Sequence, residues 1–103
     1  MNVKSMRLIL KACAEDSRLK MIHLLKDREL TVKEIGAALK MKQPMVSKHL
    51  TRLRLLKVVI DRREGNLVFY RLTKKEDSFQ YKVTRFLAEE LDSLAVIKEK
   101  KTS

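Results

Sequence analysis

Gln43, Met45, Ser47, Lys48, Thr51 and Arg52 lie within ten residues, and all but Met45 carry a hydrogen-bond donor or acceptor. On a helix they fall opposite Val46, Leu50 and Leu53, with Leu56 extending that apolar stripe. A helix with one side fixed to a core and the other lined by such groups can read base edges in the major groove. Gln43 suits adenine, and Arg52 suits guanine or a phosphate. The hydroxyls of Ser47 and Thr51 can address either strand, and Met45 can touch a thymine methyl. Lys48 suits a phosphate, and the backbone N–H groups at the helix start attract another. Taken alone, a solvated basic helix would look the same. The downstream hairpin separates the two: Arg62 and Arg63 flank its tip, where they can straddle the minor groove or the backbone. Together the helix, about Gln43 to Leu56, and a basic wing from Arg62 to Arg71 form a nucleic-acid-binding pattern.

The charge distribution agrees. The 103-residue chain carries a formal net charge of +11. Residues 41–74 hold nine basic and two acidic side chains, whereas residues 75–103 hold six of each. The excess therefore sits with the candidate helix and wing, and a polyanion is its natural partner.

These side chains need elements to hold them. Val3, Met6, Ile9, Leu10 and Cys13 recur at helical spacing. Glu15-Asp16-Ser17 offers a capping signal for a second helix with Leu19, Met21, Ile22 and Leu25 on its apolar side, ending near Lys26-Asp27-Arg28. Thr31 and Glu34 make a capping box for a short third helix carrying Val32, Ile35 and Leu39. Lys40-Met41-Lys42 is a turn, and Pro44 sits where a fourth helix begins. Residues 58–63 and 67–72 are β-rich runs joined by Glu64-Gly65-Asn66, a hairpin. Phe79, Val83, Phe86, Leu87, Leu91, Leu94 and Ile97 space a last helix from about Lys75 to the Lys98-Glu99-Lys100-Lys101 end. The expected architecture is mainly α with a small β-hairpin, in the order α-α-α-α-β-β-α: a winged helix-turn-helix in a single domain over residues 1–103.

From about Leu8 to Leu87 the chain resembles the ArsR-type family of winged-helix transcriptional regulators. The resemblance is carried by the run from Ala14 to Ile22, by Glu29-Leu30-Thr31-Val32-Lys33-Glu34-Ile35, by Gln43-Pro44-Met45-Val46-Ser47-Lys48-His49-Leu50 with Leu53-Arg54, and by the run from Arg62 to Leu72. It implies a homodimer built by the first and last helices, a fourth helix in the major groove, and repression of an operon until an inducer binds. A twofold dimer would present two recognition helices about 34 Å apart and match an inverted repeat. The broad apolar stripe of the last helix is consistent with that pairing.

The chain departs from the family where metals bind. The Cys-x-Cys positions of metal-sensing relatives are Thr31 and Lys33 here, a poor soft-metal ligand and a repelling charge. Residues 75–103 contain no His or Cys, and the whole chain has one Cys and two His. No metal site and no cofactor are expected. Cys13, on the apolar side of the first helix, is a candidate redox residue, although such cysteines usually serve as small core hydrophobes. His23 reads as a half-buried surface histidine, and His49 as packing at the edge of the groove face.

Neither a glycine-rich phosphate loop, a nucleophile triad nor a carboxylate pair in an apolar setting is evident, so an enzyme is not expected. With no apolar run of membrane-spanning length and no signal pattern, a cytoplasmic protein without membrane contact is expected. The expected function is sequence-specific double-stranded DNA binding in transcriptional regulation, with nonspecific architectural DNA binding or RNA binding as the alternative.

Overall fold

Capping at three helix starts sets the spacing of the first half of the chain in a computed structural model, which describes the backbone of residues 1–102 and the side chains of residues 1–94. Helix α1 spans Val3–Cys13, and Asn2 caps it by accepting from the Ser5 N–H at 2.8 Å. Helix α2 spans Asp16–Leu24. Glu15 caps it with both carboxylate oxygens, which accept from the N–H groups of Ser17 and Arg18. Helix α3, Val32–Leu39, opens with the expected box: Thr31 Oγ1 accepts from Glu34 N–H, and Glu34 Oε1 accepts from Thr31 N–H. It closes on Lys40 in the left-handed region at φ 55°. Helix α4 spans Gln43–Leu55, with Pro44 in its first turn.

Two runs expected as strands are present: β2, Val59–Glu64, and β3, Leu67–Leu72, antiparallel with Val59 opposite Leu72 and Glu64 opposite Leu67. Gly65, at φ 59°, takes the left-handed backbone of the two-residue tip, where a side chain would be strained. Two differences from the sequence-based expectation appear. A short strand β1, Leu30–Thr31, pairs with β3 opposite Tyr70 and Phe69, so the sheet has three strands in the order β1-β3-β2. Two residues leading into a capping box are too short for alternation to reveal. The last helix, α5, spans Phe79–Thr102 and starts at Phe79 instead of near Lys75. Ser78 fixes that start: its hydroxyl donates to Lys75 O and accepts from Tyr81 N–H. Ile97 and the Lys98–Lys101 end lie outside the residues whose side chains are described.

The core gathers Ile9 and Ala12 of α1, Met21, Ile22 and Leu25 around α2, Ile35, Val46, Leu50 and Leu53 of the α3–α4 pair, Val58, Val59 and Ala88. The α1 stripe is split. Ile9, Ala12 and Cys13 turn inward, while Val3, Met6 and Leu10 are exposed. Phe86 and Leu94 of α5 are exposed as well. No helix among the described residues is long and apolar enough to cross a membrane.

Candidate nucleic-acid interface

Helix α4 is anchored from inside. Val46, Leu50 and Leu53 are fully buried, as their spacing predicted, and Leu56 at the C-cap is half-buried. Gly36 lets the preceding turn come close: a Cβ there would stand 2.8 Å from the Met41 carbonyl oxygen. Gln43, Met45, Ser47, Lys48, Thr51 and Arg52 of α4 are all exposed; helical spacing turns Ser47, Lys48, Thr51, Arg52 and Met45 away from the buried stripe and leaves Gln43 at its edge, beside Gly36 of α3. The Thr51 hydroxyl donates to Ser47 O at 2.9 Å, so it meets an outside partner as an acceptor. No side chain caps the helix. The Met45 and Val46 N–H groups both donate to Lys42 O, and Pro44 has none, which narrows the expected backbone anion site to the Gln43 N–H.

His49 belongs to the support of this face. Its Nδ1 lies 3.1 Å from Arg18 Nη1, and only 16 % of its side chain is exposed. A guanidinium can only donate, so Nδ1 is the acceptor and the ring proton sits on Nε2. Arg18 Nε also donates to Ala12 O, and Glu15 Oε2 lies 3.8 Å from His49 Nδ1. The N–H groups of Ser17 and Arg18 hold the Glu15 carboxyl below its ordinary value. One network thus ties the end of α1 and the start of α2 to α4.

The wing carries Arg62 and Arg63 on β2, next to the tip, as expected. They differ in what they touch. Arg62 donates from Nη2 to Glu29 Oε1 at 2.7 Å and from Nη1 to Glu64 Oε2 at 2.7 Å, and its guanidinium lies 4.8 Å over the Phe69 ring. The hydrogen bond to Glu29 holds that carboxyl below its ordinary value. Arg63 is exposed and makes no ion pair among the described residues. No local pattern marks Glu29 as a partner of the wing: it lies 33 residues from Arg62, and only β1 brings the two together.

Cys13 is 2 % exposed, and burial raises its pKa to about 11. That environment works against a reactive thiolate. Thr31, at one family metal position, is committed to its capping box, and Lys33 is exposed. Among the described residues no group of three or more His, Cys, Asp or Glu side chains is placed to hold a metal ion. His23 Nε2 lies 2.6 Å from Asp92 Oδ1, joining α2 to α5 together with Lys26.

A helix locked to the core by one face, preceded by a tight helix–turn and followed by a basic two-stranded wing, defines a winged helix-turn-helix protein. Residues 15–60 match the model of the bacterial regulatory protein family arsR. The structure superimposes on HlyU from Vibrio cholerae with a TM-score of 0.74 at 32 % identity, covering 86 % of this chain and 96 % of that one. The chain belongs to the ArsR family. It is also similar to the arsenic resistance transcriptional regulator ArsR1 of Pseudomonas putida, 41 % identical over 66 residues, which are 63 % of this chain and 52 % of the relative. A homodimeric winged helix-turn-helix DNA-binding domain from Mycobacterium bovis covers 98 % of this chain and is covered to 86 %, with a TM-score of 0.72 at 26 % identity. The chain spans about half the length of the first curated relatives it matches.

Proposed function

We propose that this protein is a dimeric, sequence-specific reader of double-stranded DNA that regulates transcription, acting as a repressor. The observation that carries this reading is the exposed row Gln43, Ser47, Lys48, Thr51 and Arg52 on a helix whose other side is fully buried, with Met45 beside it. A rigid polar face of this kind is what base-edge readout needs. Arg63 is the wing's free phosphate contact, and Arg62 is a second one that must first leave its carboxylates. The exposed apolar residues of α1 and α5, Val3, Met6, Leu10, Phe86 and Leu94, supply the surface of a twofold interface. The homodimeric state of the Mycobacterium bovis domain supports a dimer. The dimer would then read an inverted repeat as one domain per subunit, in the cytoplasm, without a metal or cofactor. Cys13 packs the core in this reading and senses nothing.

Selection of bound duplexes from a random DNA pool at physiological salt tests the proposal. An enriched inverted repeat with half-sites one or two helical turns apart is expected. Retention without an enriched motif would leave nonspecific architectural or RNA binding as the function.

A further inference from the structure

A cavity of about 310 Å³ lies between the end of α2, the end of β3 with the segment after it, and the first turns of α5. Its size is at the lower end of small-molecule sites, which run from roughly 300 to 1,000 Å³. It lies at the base of the wing, at the opposite end of β3 from the Gly65 tip, and none of the six α4 residues assigned to DNA lines it.

The charged residues around it do not balance. Arg28, Arg71, Lys74 and Arg85 face two carboxylates, Asp27 and Glu76. Asp27 is taken by Arg85 at 3.0 Å, and that hydrogen bond holds its carboxyl below the ordinary value. Arg28 and Lys74 make no ion pair among the described residues. Arg71 is the most exacting member. Its Nε–H is buried without an acceptor among the described residues, and the carboxylate near its Nη1, Glu29 at 3.9 Å, already serves Arg62. A buried donor left without a partner in a native protein calls for an explanation, such as strain, a function or an ordered water or ion; the Nε itself is closed to solvent, so the cavity meets the rest of the Arg71 side chain. Leu25, Leu72 and Tyr81 give the same cavity an apolar wall, and Thr84, 1 % exposed, adds a hydroxyl already bonded to Gln80 O.

We propose that this cavity binds a small organic oxyanion, its carboxylate or phosphate group held by Arg71, Arg28 and Lys74 and its apolar body laid against Leu25, Leu72 and Tyr81. Arginine and lysine supply charge-assisted hydrogen bonds to such a group, and the apolar wall separates an organic anion from inorganic phosphate or chloride. The occupant touches the wing strand and α5 at once, so it links the DNA-reading side of the molecule to the helix proposed for the twofold.

The test is a titration of ¹⁵N-labelled full-length protein, without DNA and at constant ionic strength, with phenyl phosphate, benzoate, inorganic phosphate and phenol. Saturable shifts of the amides of Arg28, Arg71 to Lys74 and Tyr81 to Arg85 are expected with phenyl phosphate or benzoate. Inorganic phosphate should bind at least tenfold more weakly, and phenol should not bind. The double variant Arg28→Ala/Lys74→Ala, with an unchanged amide spectrum elsewhere, should lose at least tenfold in affinity. Shifts confined to the Gln43–Arg52 face and the wing tip, equal binding of inorganic phosphate, or full affinity in the double variant would each overturn the proposal. Because no DNA is present, the result stands apart from the test of DNA reading.

Discussion

The Arg62 guanidinium is held by Glu29 and Glu64 and stacked on Phe69, whereas its neighbour Arg63 has no such partners among the described residues. A phosphate approaching Arg62 must displace a carboxylate that already satisfies it, so Glu29 acts as a competitor built into the fold. Glu29→Gln should therefore release Arg62 to DNA. The slope of log K against log salt concentration should steepen by about 0.9 with base preference unchanged. Glu76→Gln, a neutralisation away from Arg62, serves as the control. An unchanged slope would mean that freeing Arg62 adds no phosphate contact, and that Glu29 does not keep it from the DNA. Cys13 makes a second residue-scale case. Buried, with its pKa raised to about 11, it should resist a thiol reagent at pH 8 in the folded protein and react promptly once unfolded. Rapid labelling of the native protein would restore the redox assignment.

At the scale of elements, the periodicity of Val46, Leu50 and Leu53 and the Thr31–Glu34 box made α3 and α4 legible, because both signals are local and both are realised. The hairpin was legible for the same reason, since Gly65 marks its tip. What escaped was set by distant contacts. β1 exists through pairing with β3, and α5 starts where Ser78 turns back on Lys75. The candidate DNA face could be read because it lies on one helix and one strand. The cavity could not, because Arg28, Arg71 and Arg85 are far apart along the chain. Gly36 also had no visible role until α3 and its turn were placed together. An added methyl there meets a backbone carbonyl at 2.8 Å. Crowding of this kind costs about 1–3 kcal/mol, against about 1 kcal/mol gained from alanine in a helix. Gly36→Ala should lower stability by up to roughly 2 kcal/mol in urea denaturation, and a stabilised variant would show that the turn yields.

For the whole molecule, carboxylates join elements that the chain separates. Asp92 joins α5 to Lys26 and His23, Asp27 holds Arg85, Glu29 holds Arg62, and Glu15 caps α2. Each has a folded-state pKa below its ordinary value. For Asp92 and Asp27 the main cause is a hydrogen bond from Lys26 and Arg85, respectively; for Glu29 it is one from Arg62, and for Glu15 it is the Ser17 N–H. Groups shifted this way contribute stability above their unfolded values of 4.5 for Glu and 3.8 for Asp, and the contribution is lost as pH falls through the lower folded values. The melting temperature should change little from pH 7 to about 5 and drop below about 4.5. Asp92→Asn should melt lower at pH 7 and show a shallower acid decline; an acid decline as steep as that of the unaltered protein would remove Asp92 from the account.

The Arg18–His49 contact has a mechanical consequence. Arg18 grips the end of α1 through Ala12 O and the middle of α4 through His49. In the proposed dimer α1 also lies at the twofold, so α1 and α4 behave as the two arms of one lever with Arg18 at the fulcrum. In such a dimer a small tilt of α1 against its mate would change the span between the two reading helices. The dimer would then function as a caliper, whose jaws fit one operator spacing and whose setting is adjusted at the hinge, far from the DNA.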